Sequence, residues 1–281
     1  MTKSVSSPLG SSDFSRRRIR PTNIAVAAIT GIAATALVGF IGLPLVAIFL
    51  RVPISTLLAQ LHSPVALDAL RISMKTSFIA LAFIVAAGTP VAYLLGTKRF
   101  RGRMLLTTLL ELPLVLPPAV AGIGLFVAFG RMGLLGPSLK SLGIELPFTW
   151  VAVVMAQAFV AMPFYVRQAI AGFGSIDARL LGVSRTLGAT SGRTFFRVAA
   201  PLAGQSLSAG AALAWARALG EFGATTLFAG SLQGRTQTLP LAIYSQFSGT
   251  NFNVALAMSA LLVAVSAGVL VTTKLLLRSR V

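Results

Sequence analysis

The sequence has no cysteine and a single histidine, His62. The first absence excludes disulfides and Cys-ligated metal sites. The second excludes a multi-histidine metal centre. Acidic side chains are scarce too: six Asp and Glu stand against 24 Lys and Arg, for a formal net charge of +18. Charge of either sign makes up only 11% of the 281 residues, too little to cover the surface of a soluble domain. No G-x-x-x-x-G-K-[ST] loop occurs, so the chain lacks the phosphate cradle needed to hydrolyse ATP alone. No H-E-x-x-H and no G-x-S-x-G occur either, which speaks against a membrane metalloprotease or a lipase-like serine enzyme. No catalytic residue, metal ligand or cofactor site is expected.

Apolar residues are abundant, at 56% of the chain, with mean hydropathy +0.86. That is the composition of a multi-pass membrane protein. In a soluble protein the positive charge would point to nucleic acid. Here the charges lie between apolar runs, so lipid headgroups and the positive-inside rule account for them and no nucleic-acid partner is expected.

Six apolar runs approach the length of about 20 residues that crosses a bilayer: Ile24–Leu50, Ser73–Leu95, Leu105–Phe129, Phe148–Ile170, Leu202–Leu219 and Phe252–Leu277. The fifth is diluted by Gly204, Gly210 and Gly220, small residues that suit close helix packing. The expected fold is therefore an all-α membrane protein with six transmembrane helices. Placing both termini inside puts 17 of the 24 basic residues on the interior and leaves Arg51, Arg71, Lys75, Arg131, Lys140, Arg217 and Arg235 outside. The bias holds in all four interior segments, as the positive-inside rule requires. Residues 1–20 read as a disordered cytoplasmic tail ending Ser15-Arg16-Arg17-Arg18-Ile19-Arg20, and residues 21–281 as one six-helix transmembrane domain. The tail superficially resembles a twin-arginine signal, but the apolar run after it is too long for a signal core. His62 falls in a polar external loop and reads as a solvated residue.

Three stretches stand out. The first is Asp177–Pro201, the longest interior break between apolar runs, with Arg179, Arg185, Arg193 and Arg197. Leu180, Val183 and Leu187 recur at helical spacing, with Arg179, Ser184 and Arg185 off that line, and Gly188 stands where helices often end. Such a helix either folds back on its own bundle or offers its stripe to a partner.

The second stretch, in the third run, carries Glu111, Pro113, Pro117, Pro118, Gly122 and Gly124. Backbone broken this densely survives in a membrane only where protein or a wet cavity satisfies it. It is either a distorted helix lining a path or gate, or an ordinary proline kink. Glu111 lies about 12 Å along a helix from Arg103, and a carboxylate there should face the bundle and pair with an arginine.

The third stretch is Arg217-Ala-Leu-Gly-Glu221-Phe-Gly-Ala, followed by Gly234-Arg-Thr-Gln-Thr-Leu-Pro-Leu-Ala-Ile-Tyr244. Arg217 and Glu221 share a helix face. They form either a structural pair at a helix end or a source of positive potential for an arriving anion.

Asp177–Pro201 resembles the cytoplasmic E-A-A-x3-G-x9-I-x-L-P loop of ATP-binding-cassette (ABC) importer permeases. Gly188 takes the motif glycine, Val198 the isoleucine place and Ala200-Pro201 the Leu-Pro place. Gly182-Val183-Ser184 stands where Glu-Ala-Ala is expected. The Leu112–Pro118 stretch and the Arg217 and Gly234 motifs look like the molybdate type of such permeases. Sulfate and tungstate permeases share the broader pattern.

The resemblance implies a homodimer in a bacterial or archaeal cytoplasmic membrane, two cytoplasmic ATPase subunits that bind the ATP, and an external molybdate-binding protein. It assigns coupling to Asp177, Leu180, Leu181, Gly182, Val183, Ser184, Arg185, Thr186, Leu187, Gly188, Ala189 and Thr190. Glu111, Pro113, Pro117, Pro118, Arg217 and Glu221 are the path or gate candidates. The alternatives are a sulfate, thiosulfate or tungstate permease, and an ion-gradient-driven secondary transporter.

Overall fold

The computed structural model describes residues 21–249 and 251–278. The basic tail through Arg20 lies outside the described residues. The chain divides into two units, residues 1–47 and 48–281. A first helix, α1 (Pro21–Arg51), runs through the first unit and ends just before Pro53.

The rest of the chain forms α2 (Ile54–Leu61), α3 (Pro64–Thr97), α4 (Arg103–Val115), α5 (Pro118–Phe129), α6 (Gly136–Ser141), α7 (Trp150–Gly174), α8 (Ala178–Thr186) and α9 (Ser191–Thr194). A π-helical stretch, Phe195–Ala199, leads into α10 (Ala200–Leu202), α11 (Gly204–Leu219), α12 (Gly223–Ala229), α13 (Leu239–Ser248) and α14 (Phe252–Arg278). No strand occurs among the described residues.

Among the described residues four helical segments are long and apolar enough to cross a membrane: Ala28–Arg51, Pro64–Thr97, Trp150–Gly174 and Phe252–Thr272. The third sequence run, Leu105–Phe129, is not one rod. It is α4 and α5, meeting at 115° around Leu116-Pro117. Pro117 cannot donate a helical hydrogen bond, and Pro118 opens α5 at a position where its missing N–H costs nothing. Counted together, the bent pair makes a fifth candidate span.

The fifth sequence run corresponds to α11, at 16 residues shorter than a full crossing. Helical hydrogen bonding nevertheless runs through the break before it. Ala203 N–H donates to Ala199 and Leu207 N–H donates to Ala203. The π-helical stretch lies just ahead of Pro201, whose ring would clash with the carbonyl four residues back in a regular helix.

In the second unit, α3 and α7 form the most extensive helix pair and α11 packs across both. Their shared core is built on Ala80, Ile84, Ala161, Tyr165, Phe173 and Ala214. Much of this core is alanine, which lets helix axes approach closely where lipid offers no hydrophobic drive to associate. Polar pairs pin the same helices: Trp215 Nε1 donates to Ser77 Oγ at 2.9 Å, and the Tyr165 and Thr89 hydroxyls hydrogen-bond each other. A second core, with Leu125, Val153, Ala156 and Phe228, joins α5, α7 and α12. A third, with Ala66, Ala69, Leu239 and Met258, joins α3, α13 and α14.

Candidate functional site

The stretch from Asp177 folds as a capped two-helix segment. The Asp177 carboxylate accepts the Arg179 N–H at 2.9 Å, opening α8. At its far end Gly188 adopts φ +80. Its N–H donates to Arg185, while Ala189 N–H reaches back to Ser184. This is the reciprocal carbonyl capping that a left-handed residue makes possible, and glycine adopts it without a Cβ penalty. Thr190 then caps α9, accepting Arg193 N–H, and Ser184 Oγ meets buried Thr194 Oγ1 at 3.0 Å. The two short helices are thus tied side chain to side chain.

The face of α8 is divided. Leu181 is buried in the core shared by α3, α7 and α11, whereas Leu180, Val183 and Leu187 are exposed, Leu187 by 81%. One leucine anchors the helix to the bundle, and the predicted stripe is left open. An aromatic cluster carries the anchor further. Tyr93 at the end of α3 stacks edge-on with Phe173 at the end of α7 and with Phe195 of the π-helical stretch. Sequence reading passed over these rings because their spacing in the chain reveals no common face.

The proline-rich stretch and the Arg217 motif, separate in sequence, meet. A Cβ on Gly122 would lie 2.8 Å from the Ala224 carbonyl oxygen, so glycine is what allows α5 and α12 to touch backbone to backbone. Arg217 Nη1 lies 2.7 Å from Glu221 Oε2, with Glu221 1% and Arg217 27% exposed. The other Glu221 oxygen accepts Ala224 N–H at 2.8 Å. Glu221 therefore closes the elbow between α11 and α12 with one oxygen and is neutralised by Arg217 with the other.

Glu111 pairs across helices with Arg167 of α7, at 3.3 Å, and not with Arg103. Both remain partly open, 39% and 62% exposed. Pro113 lies inside α4 and takes no part in the elbow.

The loop before α13 is braced internally. Leu232 carbonyl accepts the N–H groups of Arg235, Thr236 and Gln237, and Leu239 N–H donates to Ser73 Oγ on α3 at 2.7 Å. Thr236 and Thr238 are fully buried, so this part of the stretch packs against α3 as it enters α13. Among the described residues no group of three or more His, Cys, Asp or Glu side chains could hold a metal.

Residues 88–279 match the family described as the binding-protein-dependent transport system inner membrane component. The chain belongs to this family. It is 44% identical over 228 residues to the molybdenum transport system permease protein ModB of Mycobacterium bovis, covering 81% of this chain and 86% of that one. It is 37% identical over 186 residues to the sulfate transport system permease protein CysW of Synechococcus elongatus, covering 65% of each. The backbone resembles a chain of a bacterial ABC transporter involved in the import of the polysaccharide alginate, with a TM-score of 0.74 over 92% of this chain and 96% of that one. At 14% identity that likeness shows the fold alone.

The α5–α12 pair was missed by sequence reading. Seven residues of α12 are too few to announce a helix by periodicity, and only the packing of Gly122 and Gly223 reveals the contact.

Proposed function

We propose that this permease is the membrane-spanning subunit of an ATP-driven importer of molybdate. Two copies would form the translocation path, two cytoplasmic ATPase subunits would bind ATP, and an external binding protein would deliver the oxyanion. The observation that carries the coupling role is the open Leu180–Val183–Leu187 stripe on a helix whose other side is anchored by Leu181. A partner groove covering that stripe would move α8, and the Tyr93–Phe173–Phe195 cluster would pass the movement to α3 and α7. The elbow at Pro117-Pro118 and Glu221 is the proposed gate, because two helices with broken backbones meet there.

Both termini inside and six crossings complete the reading. The bent α4–α5 pair counts as the third crossing and the hydrogen-bonded run Phe195–Leu219 as the fifth. That places α8 and α9 on the same side as Lys98, Arg99, Arg101 and Arg103, in keeping with the positive-inside rule.

For the substrate, the support is the likeness to ModB, longer and higher in identity than that to the sulfate permease. The test is uptake of labelled molybdate by the reconstituted complex with its binding protein. Uptake should require ATP, be competed by tungstate and resist sulfate. Competition by sulfate equal to that by tungstate would move the assignment to the sulfate type. Uptake independent of ATP would move it to a secondary transporter.

A further inference from the structure

An open pocket of about 940 Å³ lies between the first turns of α3, the loop leading into α7 and the loop before α13. Four cationic side chains line it: Arg71, Lys75, Arg131 and Arg235. Arg71 and Lys75 are four apart on α3 and so project from one face. Lys75 Nζ sits 4.7 Å over the Trp150 ring, which holds it at the pocket wall. The single lining carboxylate, Glu145, is committed to Arg131 at 2.7 Å. Asp68 stands at the margin, near Gly234. Among the described residues neither Arg71 nor Arg235 has a carboxylate at ion-pairing distance. Four of the seven basic residues assigned to the exterior by charge distribution thus converge on one cavity.

We propose that this vestibule is a receiving site for the tetrahedral oxyanion, held weakly between Arg71, Lys75 and Arg235 before it enters the path. The inference rests on the importer reading above. Guanidinium forks match paired oxygens of a tetrahedral anion, and the ammonium adds a point charge. A concave wall with an excess of one sign of charge focuses the field and raises the local concentration of the opposite sign. The volume far exceeds one small anion, so the ion stays hydrated and loosely held. A transit site needs that property, since an ion bound too tightly would not leave.

The chain's lack of cysteine makes a direct test available. The full-length Ile144→Cys permease, with its ATPase subunits in neutral-lipid proteoliposomes, would be labelled at the pocket rim with anionic and cationic methanethiosulfonates of similar size. The anionic reagent should react faster by about tenfold after correction for intrinsic reactivity, with the advantage falling as salt rises. Millimolar molybdate, tungstate or sulfate should slow the reaction, and chloride at equal ionic strength should not. Arg71→Gln with Arg235→Gln should abolish both effects, whereas Arg71→Lys with Arg235→Lys should keep most of each, separating charge from misfolding.

Equal rates for the two reagents, or no slowing by oxyanions, overturn the site. So does slowing that comes only from anionic phospholipid in the vesicle, or only from substrate-free binding protein. ATP-driven molybdate uptake in the face of such a result leaves the importer reading standing. Oxyanion protection without uptake has the opposite meaning.

Discussion

Pro118 and Gly223 stand at the starts of α5 and α12, so close that a Cβ on Gly223 would fall 2.9 Å from the Pro118 Cβ. A methyl group at that point must push the two helices apart or bend the 115° elbow behind Pro118. Gly223→Ala should therefore lower the melting temperature of the purified permease and reduce uptake more than tenfold. Gly124→Ala, which meets nothing within 4 Å in the same helix, should leave both near the parent values. Equal behaviour of the two variants would show that the contact does not control the gate.

Arg217 and Glu221 allow a cycle of substitutions. Arg217→Ala leaves a carboxylate that is 1% exposed without its counter-ion, and breaking such a pair costs about 3 kcal/mol. Glu221→Gln keeps an oxygen for Ala224 N–H and loses only the charge, so it should cost less. The double Arg217→Ala, Glu221→Ala variant should recover part of the lost stability. If the double variant regains stability but not uptake, the Arg217 charge itself serves transport. Thermal unfolding and uptake measured on the same samples decide this.

The coupling segment can be probed on its two faces. Leu180→Ser with Val183→Ser alters only exposed side chains, so the permease should fold normally while copurifying ATPase falls severalfold. Leu181→Ala should instead destabilise the bundle, by about 3 kcal/mol for a buried leucine. At Gly188, where φ is +80, any Cβ costs about 1 kcal/mol. Gly188→Glu, which adds a charge beside the stripe as well, should abolish ATPase association in a permease that still inserts. Normal uptake by Gly188→Glu would remove the segment from the coupling role.

Topology has its own test. Single cysteines at Arg101 and Ser191 should be shielded from a membrane-impermeant thiol reagent in intact cells, and one at Ser138 should react. The reverse pattern would invert every assignment of side, the basic vestibule included.

The apolar runs, the basic segments between them and the motif glycine at 188 were legible in the chain because each is a local property. Hydropathy over a run of residues sets the cost of leaving lipid. Charge bias needs only counting. A residue that must turn left-handed after a helix is nearly always glycine. Local order could not reveal that Leu105–Phe129 bends through 115°, or that Glu111 turns to Arg167 and not Arg103. Proline removes a hydrogen bond without setting the direction of the bend. A carboxylate takes whichever cation packing brings within reach.

The same division holds for the sites. Arg71, Lys75, Arg131 and Arg235 lie scattered over more than half the chain, and only the packing of α3, α7 and the loop before α13 gathers them around one cavity. Sequence by itself marked which runs are apolar enough for lipid and which segments between them carry the positive charge, because transfer free energy is a sum over neighbours in the chain. Tertiary structure decided which glycines touch, which charges pair and which remain open, because those depend on contacts between residues far apart in the chain.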